Sequence, residues 1–188
     1  MISFIGNRPA LQIGSHQVLD YDTAWLDDAL LRAATAADHA DFPLLGEIRN
    51  GVELYLENKC PLRLLHLEDL FDKMRRMLVK MGCERIAEKL VPLAPPVTVS
   101  LVRAALSAGN GFELAFFETI RSEIGELREV GAEKIHFTGL RQSTLILRGR
   151  KNWNRQCETL HAEIRDFIAA CDHESNATPR CLRLSVEV

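Results

Sequence analysis

The sequence predicts an α+β fold, predominantly helical: an N-terminal β-hairpin plus a four-helix bundle, then a smaller helix/strand region. Three observations predict it. Leu67, Leu70, Phe71, Met74, Met77, Leu78 and Met81 recur at helical spacing, with Asp72, Lys73, Arg75, Arg76 and Lys80 between them. That spacing puts one apolar stripe on an otherwise charged helix. Residues 2–13 hold two β-prone runs separated by Gly6, Asn7, Arg8 and Pro9, the pattern of a small hairpin. Residues 91–100, VPLAPPVTVS, carry three prolines, which preclude a helix and mark a stiff, extended connection.

The elements follow in order. Residues 2–5 and 11–13 form the hairpin, and residues 17–19 extend it after a bulge at Gly14. Asp22 or Thr23 caps a helix that buries Trp25, Leu26, Ala29, Leu30 and Ala33. A second helix, from about residue 45 to 57, carries Ile48, Val52, Leu54, Tyr55 and Leu56. The third is the stripe above, stopped by Gly82, and a short fourth sets Ile86, Ala87 and Leu90 inward.

Beyond the prolines, Ser100 caps a helix with Leu101, Val102, Ala105 and Leu106. A longer one aligns Phe112, Ala115, Phe116, Ile120, Ile124 and Leu127 and closes at Gly131. Residues 134–138 alternate as a strand. Residues 143–147 fit either its antiparallel partner or a helix, being too short to decide by period. Trp153, Cys157, Leu160, Ile164, Phe167 and Ile168 mark a helix over residues 153–170. The predicted organisation is therefore a hairpin plus bundle over 1–91, a proline-rich connection over 92–99, and a helical region with a short hairpin or strand over 100–172. Residues 173–188 are a polar, mobile tail in which residues 181–188 alternate, as a terminal strand or as a tail that pairs only on assembly.

The formal net charge of −3 excludes a global pull toward nucleic acid or an anionic membrane. No apolar run approaches the roughly 20 residues of a bilayer span. The first residues lack the basic and apolar regions of a signal peptide. The five cysteines are odd in number and have no CxxC spacing. That argues against a disulfide framework or structural zinc and for a reducing cytoplasm.

Chemistry has few candidate places. Arg141, Arg148, Arg150, Lys151 and Arg155 cluster around Trp153. Cations beside an indole suit a phosphate and a stacked base, so these six residues form the candidate ligand site. The alternative is a solvated rim beside a buried Trp153. The turn at Gly139, with Thr138 and Ser143, offers amides and hydroxyls to an anion, or is a plain turn. His39 with Asp38 and Asp41, and His66 with Glu68 and Asp69, lack the spacing of a zinc site. No nucleophile, base and orienting group assemble, so no catalytic residue, metal or cofactor is assigned.

The order of elements in residues 1–91 resembles the ATP-cone, the small regulatory domain that precedes some ribonucleotide reductases and occurs in the bacterial repressor of their genes. Tyr21-Asp22 stands where the family has Phe-Asp, and Trp25-Leu26 and Leu30 lie on the first helix. Val52 and Leu56 match the second helix, Leu67, Leu70, Met74 and Leu78 the third, and Ala87 the last. The family's phosphate-binding cations are absent: Ser3-Phe4-Ile5 and Trp25 occupy those regions, and only Arg8 nearby is basic. The resemblance thus implies a cone that makes protein contacts. It covers about half the chain and attaches no activity to the rest.

The expected function is a non-catalytic regulatory or interaction module with a protein partner or self-association. Met74, Met77 and Met81 serve either as core or as a dimer face. The alternative is a nucleotide- or phosphate-binding regulator or enzyme using the basic cluster. Sequence-specific DNA binding is not expected, since no helix-turn-helix has a basic recognition helix.

Overall fold

The computed structural model describes residues 8–39, 42–176 and 183–186. The fold is α+β and mostly helical, with the N-terminal hairpin present. It divides into two compact units, Met1–Pro95 and Pro96–Val188.

In the first unit, β1 (Ala10–Ile13) and β2 (His16–Val18) pair antiparallel across the turn at Gly14 and Ser15. The run expected at residues 2–5 lies outside the described residues. The other edge of β1 is taken by β3 (Leu64–His66), which runs parallel to it. Alternation along β1 turns Leu11 and Ile13 to one face, and Leu65 joins them there, all fully buried.

Four helices supply the rest of this core. α1 (Ala24–Ala36) buries Trp25, Leu26, Ala29, Leu30, Ala33 and Ala34. The Asp22 carboxylate accepts the Ala24 N–H at 3.1 Å, while Thr23 turns its hydroxyl elsewhere. α2 (Leu45–Leu54) passes directly into a single π turn, Tyr55–Lys59, closed by Cys60 N–H to Tyr55 O at 2.8 Å. α3 (Leu67–Lys80) buries Leu67, Leu70, Phe71, Met74 and Leu78. Phe71 lies 6.0 Å from Trp25 between ring centres. Cutting such a buried ring to Ala costs about 3–5 kcal/mol. Gly82 ends the α3 region at φ +78°, and the Cys83 N–H reaches back to Leu78 O. α4 (Glu84–Lys89) then buries Ile86 and Ala87.

The second unit is built on three parallel strands. β4 (Val97–Ser100), β5 (Lys134–Thr138) and β6 (Arg183–Val186) lie side by side in that order. α5 (Leu101–Ala108) and α6 (Glu113–Glu129) span the first crossover, and α7 (Leu140–Leu147) and α8 (Arg155–Asn176) the second. One sheet face is apolar, with Val97, Val99, Ile135 and Phe137 buried. The other presents Thr98, His136 and Ser185 in one row.

Several expectations need correction here. The proline-rich segment expected as a connection over 92–99 is not only that, because it runs into a paired strand, Val97–Ser100. Residues 143–147, open to either strand or helix by sequence, are helical: Gly139 at φ +76° turns the chain into α7. The described residues contain no antiparallel partner for β5, whose neighbours both run parallel to it. Trp153 precedes its helix, which starts at Arg155, and the Asn154 side chain accepts the Cys157 N–H at 3.0 Å as its cap. That helix continues to Asn176, into the segment expected to be tail. No described helix is long and apolar enough to cross a membrane.

Candidate functional site

The basic cluster splits. Arg141, on the first turn of α7, places its guanidinium 4.6 Å from the centre of the Trp153 ring. His161, on α8, meets the same ring edge-on at 5.5 Å. Burial pushes the His161 imidazole below its ordinary pKa, and the charges of Arg165 and Arg141 push it the same way. The result is an indole with the Arg141 cation over its face and the His161 ring at its edge, a surface suited to an anion attached to a flat ring.

Arg148 does not join it. Its guanidinium pairs with Glu113 at 3.1 Å, tying the end of α7 to the first turn of α6. Arg150, Lys151 and Arg155 are exposed. Of the six predicted residues, the structure brings Arg141 and Trp153 together. His161 and Arg165 complete the group. Their four-residue spacing on an amphipathic helix was the available signal.

At the Gly139 turn the hydroxyls point back into the helix. The Ser143 hydroxyl donates to Gly139 O and Leu140 O at 2.8 and 2.9 Å, and Thr144 donates to Leu140 O at 2.9 Å. These hydroxyls satisfy the helix's own carbonyls and are buried.

In the first unit a cleft of about 730 Å³ opens between the segment after α1 and the α3–α4 turn. Asp38, His39, Phe42, Cys83, Glu84 and Arg85 line it. Among the described residues no three His, Cys, Asp or Glu side chains are placed to hold a metal ion, and Asp41 lies outside them.

A second cavity, about 280 Å³, lies between α2 and α3. Gly51, Val52, Tyr55, Leu70, Met74 and Met77 form its walls, and Lys73 stands at its lip with Nζ 5.3 Å over the Tyr55 ring. Met74 is buried, whereas Met77 is only half-buried. A Cβ built on Gly51 would meet nothing within 4 Å, so packing within the chain does not require glycine there. Glycine in a helix interior costs about 1 kcal/mol relative to alanine. Leu54, one turn on, is 58% exposed. Sequence reasoning singled out the methionines and passed over Gly51, which was the legible anomaly.

Arg8 donates from Nε and Nη2 to Glu57 Oε1 at 3.0 and 2.6 Å. Nη2 also lies 3.4 Å from Glu53, and Nη1 donates to Tyr21 O at 3.2 Å. The hydrogen bond to Glu57 is the main reason its pKa is raised. Glu53 in turn accepts the Thr23 hydroxyl at 2.6 Å. No protein-family profile, curated protein or solved structure matches the chain.

Proposed function

We propose that this chain is a non-catalytic regulatory or protein-interaction module whose first unit is an ATP-cone-like domain turned from nucleotide binding to protein contacts. The observation that carries this reading is Arg8. Its guanidinium is already engaged by Glu57, Glu53 and the Tyr21 carbonyl, so a phosphate would have to displace two carboxylates to reach it. The free thiols of Cys60, Cys83 and Cys157 support a reducing, cytoplasmic setting. A thermal-shift titration with ATP and dATP tests the proposal. A ligand at 100 times its dissociation constant stabilises by about 2.7 kcal/mol. The expected result is no shift; a saturable shift lost in Arg8→Ala overturns it.

The stacking of Arg141 on Trp153 favours one second reading, a nucleotide- or phosphate-ligand-binding regulator or enzyme using that surface. A nucleotide shift that survives Arg8→Ala and disappears in Arg141→Ala with Trp153→Leu establishes it. No shift in the parent protein removes it.

A further inference from the structure

We infer that the cavity between α2 and α3 is a self-association surface, into which a second copy of this chain inserts its Leu54 beside Gly51. This deepens the interaction-module reading by naming the partner.

Two features of α2 point there. Gly51 leaves bare backbone at the wall of an open apolar cavity, with nothing in the chain to fill the space. Small residues at such positions let two helices approach closely. Leu54 is an apolar side chain left mostly in solvent, about 4.5 Å further along the same helix. A bare spot and a knob on one helix make a patch that is complementary to itself. A two-fold axis requires such a patch, because each copy must offer both halves of the contact.

The register follows. Two antiparallel copies of α2 related by a two-fold between residues 52 and 53 set residue 51 of each against residue 54 of the other. Each Leu54 then enters the other copy's cavity, against Tyr55 and Met77. The same operation carries Glu47 of one copy toward the π turn of the other, where Lys73 lies over Tyr55. Glu47 is exposed, and among the described residues neither it nor Lys73 has an ion-pair partner. The two-fold thus supplies a carboxylate to the ammonium at the cavity's lip. A charge pair of this kind fixes register more than it adds affinity.

The experiment is the mass of the full chain in solution by light scattering, from micromolar to millimolar concentration. The expected mass rises to twice the 21.2 kDa of one chain. Leu54→Glu, at an exposed site that leaves the core untouched, should weaken the dimer by about tenfold or more. Gly51→Ala should raise the melting temperature of the monomer and weaken the dimer, a combination that a merely structural glycine would not give. Glu47→Lys and Lys73→Glu should each weaken it, and together restore it. A monomer at every concentration overturns the inference, as does a dimer indifferent to Leu54→Glu and Gly51→Ala. A monomer that also fails to bind nucleotide leaves the interaction-module reading standing with a different partner. Nucleotide binding by a dimer overturns that reading and leaves this surface in place.

Discussion

A Cβ placed on Gly139 would lie 2.6 Å from Cγ2 of Val102, so the turn from β5 into α7 sits directly against the first turn of α5. The backbone there is also left-handed, at φ +76°. Gly139→Ala therefore combines backbone strain with overpacking and should destabilise the second unit by about 2–4 kcal/mol. Adding Val102→Ala should relieve the overpacking and leave the strain, so the double mutant in urea denaturation should recover part of the loss. Full additivity would show that the close contact is unimportant.

Tyr21 should make stability fall in alkali. Its hydroxyl donates to Pro9 O at 2.8 Å, and burial pushes the phenol up to about 12, with Arg8 pulling weakly the other way. The unfolded chain loses this proton near pH 10 while the folded chain keeps it. Between those values the folded state binds more protons, so its advantage shrinks as pH rises and is gone above about 12. The chain has two tyrosines, and the ultraviolet titration should show one phenol ionising late. Tyr21→Phe should remove that late phase; a single step near 10 in the parent would refute the assignment.

His161 should titrate below its ordinary value near 6.5 in an NMR experiment, because burial and the charges of Arg165 and Arg141 disfavour the imidazolium. As pH falls below that value, the unfolded chain takes up the proton first, so stability should decline toward acid. Arg165→Gln and Arg141→Gln should each raise the midpoint. A midpoint unmoved by both would show that desolvation acts alone.

How much of this was legible depended on how far each signal extends along the chain. The stripe from Leu67 to Leu78 covers three turns, and the helix is where the spacing puts it. β3 is three residues between Pro61 and a helix, too few to show a period, and its partner is remote in sequence. Val97–Ser100 was hidden behind the prolines, although stiff extended backbone is what an edge strand needs. At the candidate site, proximity in sequence found Arg141 and Trp153 but miscast Arg148, because the chain gives no hint that Glu113 comes within 3.1 Å of it. The cavity beside Gly51 depends on two helices packing together, and only a costly glycine hinted at it.

The central position of β1 has a kinetic consequence. It meets β2 across a two-residue turn, but it meets β3 only after about 50 intervening residues have been brought round. A hairpin closes in about microseconds, whereas distant pairings wait on chain diffusion and collapse. The same four-residue strand is therefore finished on one side early and on the other late. Leu11 thus waits for Leu65 as the first unit refolds, with Val18 already beside it.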